Sequence, residues 1–202
     1  MVSENFVKDI INIINKNNRV ALDIGANVGE YTELLSQKFD RVYAFEPHPQ
    51  NICILRERFA SNPNVFVIPK AVSNKNGLAK LYCNTLNTEP SLSLMFAQLA
   101  AWGYSESNFI EVETITLDTF CQNIDAAFMK IDVEGAENFL FKGAIETLTN
   151  KSLRIIMETH KVVDYEPLNE LFINLNYKFI NEHGNYASEL SPCGHFLIYK
   201  DE

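Results

Sequence analysis

Val20-Ala-Leu-Asp-Ile-Gly-Ala-Asn-Val-Gly29 decides the fold. An apolar run ends in the acidic Asp23, two glycines follow four residues apart, and an amphipathic helical pattern opens directly behind them. Gly25 and Gly29 let the backbone turn sharply and approach a ligand closely, and the amides that open the next helix face whatever binds there. The segment therefore predicts a site for a nucleotide-like cofactor. A dinucleotide fingerprint wants glycine at its first, third and sixth positions, but position 27 is Asn and only Gly25 falls in that register. An NAD-dependent oxidoreductase is accordingly a weak reading of this segment.

Arg41-Val-Tyr-Ala-Phe-Glu-Pro47 reads as a second strand ending in a carboxylate, one strand-helix-strand unit further on. Glu46 is placed there to hold a ribose, because the two oxygens of one carboxylate accept hydrogen bonds from hydroxyls on adjacent carbons. Three more segments separate the readings: Ala71-Val-Ser-Asn-Lys-Asn-Gly77, Glu113-Thr-Ile-Thr-Leu-Asp-Thr119, and Met129-Lys-Ile-Asp-Val-Glu-Gly-Ala-Glu137. With Asp23-Ile-Gly-Ala-Asn-Val-Gly29, in this order and spacing, they resemble the FkbM-type family of S-adenosylmethionine-dependent methyltransferases over roughly residues 19 to 160. The resemblance implies an α/β fold: a three-layer, doubly wound, Rossmann-like class I methyltransferase sheet of seven mostly parallel strands with an antiparallel C-terminal hairpin.

The 202 residues, 47% of them hydrophobic, suit one compact domain spanning 1–202 with a core large enough to need no staples. Cys53, Cys83, Cys121 and Cys193 are scattered and form no C-x-x-C pair, so they read as reduced thiols in a cytoplasmic setting. A net charge of -9 argues against a broad basic surface, and nucleic acid is not the expected partner. No apolar run reaches the ~20 residues of a membrane helix, and Met1 to Asn18 carries charges and asparagines where a signal peptide is apolar. Neither membrane association nor export is expected. The chain is close to a minimal catalytic domain and is open to being one module of a larger glycan-synthesis protein.

Strand-like and helix-like segments alternate, as in crossover units on a mostly parallel sheet. Strands are predicted near 19–24, 41–46, 65–70, 127–132, 153–158, 177–182 and 195–200. The last two are joined without a helix and predict a hairpin at the sheet edge. An opening helix over Glu4 to Asn17 gathers Phe6, Val7, Ile10, Ile11, Ile13 and Ile14 on one side. Between two further strand-like pieces, Leu78 to Cys83 and Ile110 to Thr116, lies an apolar and aromatic stretch, Asn84 to Asn108. Two readings stand for it: a lid over cofactor and acceptor, or an amphipathic helix packed on the sheet.

Ligands of open α/β sheets sit at the carboxyl ends of the strands, so the acid–base candidates are sought there. Asp132 and Glu134 follow the fourth strand, Glu158 and His160 the fifth, and the two pairs are expected to face each other across the cofactor mouth. An alcohol acceptor needs a general base, and His160 suits that role with Glu158 orienting its ring or sharing the work. A plainer reading makes His160 a surface loop residue, and Asp132 and Glu134 a cap and first-turn charge for the helix near Gly135. For the cofactor, Gly25, Ala26, Asn27 and Gly29 are expected on the methionine part and ribose, Glu46 on the ribose hydroxyls, and Ala71 and Val72 on the adenine. Asp132 is a further contact to cofactor or acceptor, and Asp23 fixes the loop or reaches the methionine ammonium through water. His48 is a candidate for the ribose region, while His183 and His195 read as structural or surface residues.

Asp132, Glu134 and Glu158 have oxygens suited to magnesium. No Asp-Asp or Asp-Asn pair follows the fifth strand, where metal-dependent relatives of this type place one, so no metal is expected. The reading is an O-methyltransferase that uses S-adenosyl-L-methionine, releases S-adenosyl-L-homocysteine and methylates a hydroxyl of a sugar or glycan. The acceptor class is what the resemblance implies. A small natural-product alcohol is the alternative acceptor, and a cofactor-binding module without catalysis is an alternative of another kind.

Overall fold

The computed structural model describes residues 2–14, 17–83, 108–151 and 153–201. The segment 84–107, which holds nearly all of the expected lid, lies outside the described residues.

The chain opens with α1 (Val2–Ile13), β1 (Asn17–Ile24), α2 (Glu30–Ser36), β2 (Phe39–Phe45), α3 (Pro49–Arg58) and β3 (Val65–Ile68). Three short strands follow, β4 (Ala71–Val72), β5 (Gly77–Tyr82) and β6 (Phe109–Ile115), then α4 (Leu117–Phe120), β7 (Ala126–Ile131), α5 (Glu137–Lys142) and α6 (Ile145–Asn150). The last part comprises β8 (Arg154–Thr159), α7 (Glu166–Asn174), β9 (Lys178–Asn181), β10 (Tyr186–Ala187) and β11 (Gly194–Tyr199).

Eight strands form the main sheet in the order β10-β9-β11-β8-β7-β1-β2-β3. The strands from β3 to β8 pair in parallel, whereas β11 runs antiparallel to both β8 and β9. Seven of the strands are those expected, and the eighth, β10, is a two-residue piece of the connection between β9 and β11 that pairs with β9 at the edge. A small second sheet, β4-β6-β5, is built from the insertion strands.

Both faces of the main sheet are covered, which explains why β7 is buried along its whole length and reads as a continuous apolar run interrupted by one lysine. Side chains alternate between the faces. Ala21 and Phe128 pack under α1 and α2 with Val7, Ile11, Leu35 and Phe39, while Leu22 and Met129 face Phe141, Leu168 and Phe172 of α5 and α7. Within α1 the expected stripe divides: Val7 and Ile11 are buried and Ile10 and Ile14 are packed beside them, but Ile13, two residues from Ile11 and so on the opposite face, is 73% exposed.

The order of crossovers reverses between β1 and β7: β2 returns to one side of β1 and β7 to the other. That reversal opens a crevice at the carboxyl ends of both strands, which is where such sheets bind ligands.

Candidate active site

A cavity of about 600 Å³, counted to its open mouth, fills this crevice. Its floor is Ile24 and Gly25 after β1. One side carries Phe45, Glu46, Pro47 and Asn51, another Ala71, Val72 and Leu81, and Asp132, Val133 and Glu134 after β7 form the rim. Gly25, Asn27, Glu46, Ala71, Val72, Asp132 and Glu134 of the expected site thus share one cavity.

The turn after β1 is built by exclusion. Gly25 has φ +80°, and a Cβ on it would stand 1.7 Å from the carbonyl oxygen of Asp132, so only glycine lets the two loops meet. Gly29 also has a positive φ, but its missing Cβ makes room for Leu55 and Phe59. Gly29 is therefore a packing glycine between α2 and α3, and it is not among the residues that line the cavity. Ala26 is likewise buried among Ala44, Leu55 and Phe59.

Asp23 is fully buried and lines nothing; its Oδ2 accepts a 2.5 Å hydrogen bond from the Thr32 hydroxyl of α2. Burial raises its pKa against the opposing pull of Lys130, which stands opposite it in the β1–β7 register. That bond ties the end of β1 to α2, in keeping with the loop-fixing role expected of Asp23.

Glu46 is 4% exposed, and its two oxygens accept the backbone N–H groups of Asn27 at 2.9 Å and His48 at 2.7 Å. Burial outweighs those bonds and pushes its pKa up to about 7. The buried Asn51 stands in the same wall, and its amide is among the groups that hold the Glu46 pKa down. A carboxylate, a buried amide and a wall of Ala71, Val72 and Leu81 fit a diol joined to a flat apolar ring. His48 contributes its backbone to Glu46 and is the residue before α3; its side chain is not in the cavity wall.

The rim is a web of acids around one imidazole. His160 Nδ1 lies 2.6 Å from Glu137 Oε1, while Nε2 lies 3.5 Å from Glu134 Oε2 and 3.7 Å from Asp132 Oδ1. Burial alone would lower the His160 pKa, but the bond to Glu137 and the charges of Glu137, Glu134 and Asp132 win, and it rises to about 9. The orienting partner is Glu137, not Glu158 as expected, because Glu137 in the first turn of α5 is fully buried directly beside the ring. Glu158 instead faces His195 on β11, its Oε2 3.3 Å from Nε2, and this bond lowers its pKa. Neither Asp132 nor Glu134 caps a helix: α5 starts later, at Glu137, behind Ala136. Glu134 takes a left-handed backbone (φ 52°), a conformation uncommon outside glycine that recurs at functional sites.

Residue Lys130 carries no expected role, yet it organises the rim. It is 5% exposed, donates to Asp132 Oδ2 at 3.3 Å and to the Gly25 carbonyl at 3.4 Å, and lies 4.8 Å from the Tyr31 ring centre. Burial pulls its pKa down, but Asp132 and Asp23 pull harder upward, so the ammonium stays charged. A lysine inside an otherwise apolar central strand was the signal for it in the sequence; for Glu137 it was a carboxylate in a helix turn that faces the core.

Asp132, Glu158 and His160 each bring one possible metal-ligand atom within 4.8 Å of the other two. As ligand, His160 would have to give up the proton that its carboxylate neighbours hold on it.

Known proteins share this fold. The family model for the methyltransferase FkbM domain matches residues 23–194. A methyltransferase FkbM from Methylobacillus flagellatus KT superposes over 90% of this chain with a TM-score of 0.61 at 15% identity, and the chain spans 44% of that protein. M. capricolum TrmK, solved in complex with S-adenosyl-homocysteine, superposes over 97% of this chain and 70% of its own with a TM-score of 0.50 at 15% identity. A local match of 50 residues, 38% identical, links 25% of the chain to 18% of the "Probable ribosomal RNA small subunit methyltransferase A" of Methanococcoides burtonii. At such identities the structural likeness establishes the fold. No helix among the described residues is long and apolar enough to cross a membrane.

Proposed function

Since the chain belongs to the FkbM family of S-adenosylmethionine-dependent methyltransferases, we propose that it transfers the methyl group to a hydroxyl of a sugar or glycan. One observation carries the acceptor class: the rim beside the cavity consists of Asp132, Glu134 and Glu158 around His160. Carboxylates only accept hydrogen bonds, so they suit a molecule rich in O–H donors. The same charges repel a phosphate backbone, which speaks against a nucleic-acid acceptor.

Bound in the cavity, the cofactor supplies an electrophilic methyl on a positively charged sulfur. Glu46 would accept hydrogen bonds from its ribose hydroxyls, the Gly25–Asn27 turn would hold the methionine part, and Ala71 and Val72 would line the adenine side. Asp132 offers its Oδ1, buried without a hydrogen bond, at the junction of cofactor and acceptor. The acceptor oxygen would take up the methyl carbon as the C–S bond breaks and its electron pair returns to sulfur. The hydroxyl proton passes to His160 Nε2, while Glu137 holds the ring through Nδ1 and stabilises the imidazolium that forms. Alignment of this kind supplies on the order of 7 to 11 kcal/mol of such a barrier, and the base about 100- to 10,000-fold in rate. No step requires a metal.

Release of S-adenosylhomocysteine, measured across free sugars and short glycosides with and without EDTA and beside Glu46→Ala, tests the reading. Turnover on a sugar that persists in EDTA and is lost in the variant supports every part of it. Turnover confined to non-sugar alcohols would replace the acceptor class, and activity abolished by EDTA and restored by magnesium would replace the metal-free mechanism.

A further inference from the structure

A second imidazole–carboxylate array stands beside the first. In the antiparallel register of β8 and β11, His195 sits directly opposite Glu158. His195 is 7% exposed and lies between two acids: its Nε2 is 3.3 Å from Glu158 Oε2 and its Nδ1 is 3.5 Å from Glu182 Oε2. Its backbone N–H donates to the same Glu182 oxygen at 3.2 Å.

The two ends of this array differ. The Glu158 side chain is 40% exposed and brings an oxygen within 4.8 Å of both Asp132 and a ring nitrogen of His160. Glu182, at 22%, lies in the turn behind β9 and backs the ring from the other side. Burying an imidazole between two carboxylates carries a desolvation cost that an apolar residue in the same register would avoid. What the array achieves is one fixed orientation of Glu158, because a half-exposed glutamate without a rigid partner would sample several rotamers.

We propose that His195, backed by Glu182, positions Glu158 to bind the acceptor hydroxyl next to the one that is methylated, so that the enzyme selects vicinal diols. This rests on the sugar reading above and deepens it. His160 takes the proton of one hydroxyl, and Glu158 accepts a hydrogen bond from its neighbour; the spacing between the two side chains lets adjacent hydroxyls engage both at once. Glu158 is the specificity-determining residue, and His195 and Glu182 are positioning residues.

The test compares two glycosides that differ only in the neighbouring hydroxyl, present in one and replaced by hydrogen in the other. The wild-type protein is expected to favour the diol by about 10- to 100-fold in kcat/KM, the range of a hydrogen bond to a charged group. Glu158→Gln and His195→Gln should bring that ratio to within a few-fold, with KM for the diol rising and affinity for S-adenosylmethionine unchanged. Glu182→Gln, at a more exposed site, should reduce the ratio part of the way and covers the case in which His195→Gln does not fold. A ratio retained in Glu158→Gln overturns the acceptor contact, and a ratio lost in Glu158→Gln but retained in His195→Gln and Glu182→Gln overturns the positioning roles. Absence of turnover on every glycoside overturns the sugar reading and diol selection with it. The positioning pair is then read from the ring nitrogen signals of His195 in histidine-labelled protein: they should move in Glu158→Gln and in Glu182→Gln, and unmoved signals would show that the array does not form.

Discussion

The Nδ1 of His160 lies 2.6 Å from Oε1 of Glu137, a glutamate with no exposed surface at all. The pair joins the end of β8 to the first turn of α5 and leaves Nε2 turned toward Asp132 and Glu134 at the rim. A buried carboxylate behind the ring fixes which nitrogen faces the rim, and it also holds a proton on that ring well above neutrality.

The consequence for catalysis is a rate that rises with pH. His160 accepts a proton only when neutral, and its pKa in the unliganded protein is about 9. The acid limb of kcat/KM should therefore climb through neutral pH toward about 9. In Glu137→Gln the carboxylate that favours the imidazolium is gone, so the limb should move to lower pH. His160→Asn should lower kcat by about 100- to 10,000-fold while cofactor affinity stays nearly constant. A pH–rate profile that does not move in Glu137→Gln would remove His160 from the role of base.

Cofactor affinity should also follow pH, in a different window. Glu46 has a pKa of about 7 because it is buried, and ribose hydroxyls donate best to its ionised form. Binding of S-adenosylmethionine should tighten as pH rises through 7, with proton release at lower pH, seen by calorimetry in buffers of different ionisation enthalpy. Glu46→Ala should weaken binding by about 10- to 100-fold, as expected for hydrogen bonds to a charged group. Unchanged affinity would take Glu46 out of the ribose role.

Stability should run against function at these two residues. Folding raises the Glu46 pKa from 4.5 to about 7 and that of His160 from 6.5 to about 9. In both cases the folded state binds the proton more tightly, so stability is highest below the unfolded value and is lost as pH rises through the folded one, by about 3 kcal/mol each. Denaturant unfolding should show stability falling between about pH 4.5 and 7 in the wild type but not in Glu46→Gln. The fall between about pH 6.5 and 9 should disappear in His160→Asn. Parallel slopes for wild type and variants would contradict the burial of these charges.

Much of this was legible in the chain, for physical reasons that also mark where legibility ends. Strand and helix periodicity, together with Asp23-Ile-Gly-Ala-Asn-Val-Gly29, led to the sheet and its crevice, because local pattern fixes which face of each element is buried. Glycine 25 and Glycine 29 look alike in sequence, yet one yields to the Asp132 backbone and the other to α3, a difference that exists only once distant segments meet. The partner of His160 was misassigned for the same reason: Glu158 is two residues away in sequence and Glu137 is 23, but the latter is the one packed against the ring. For His195 the sequence left a structural and a surface role open, because only strand pairing with β8 reveals that it is buried opposite Glu158.

The two glycines should respond unequally to alanine. At Gly25 the new methyl meets the Asp132 backbone at 1.7 Å, which no rotamer can relieve, and φ is +80° besides. At Gly29 it meets the Phe59 and Leu55 side chains at 2.6 and 2.8 Å, which can shift in part. Gly25→Ala should cost on the order of 3 kcal/mol or more and Gly29→Ala less, both including the strain of a positive φ. Urea unfolding of the two variants checks the order; a milder effect at Gly25 would mean that the turn and the β7 loop are not in contact.

Lys130→Met should separate charge from shape, since the two side chains have similar length. Removing the ammonium leaves Asp23, fully buried, and Asp132 without the cation between them, and breaking such a buried pair costs about 3 to 5 kcal/mol. Because the loss comes from uncompensated carboxylates, Asp23→Asn in the Lys130→Met background should restore part of the stability, although Asp23→Asn alone in the wild type destabilises. Acidification should likewise narrow the gap between Lys130→Met and wild type, as a protonated Asp23 no longer needs the cation. Thermal unfolding of the four proteins forming this double-mutant cycle gives the coupling directly, and additive effects would show that Lys130 does not serve as the counter-charge of Asp23.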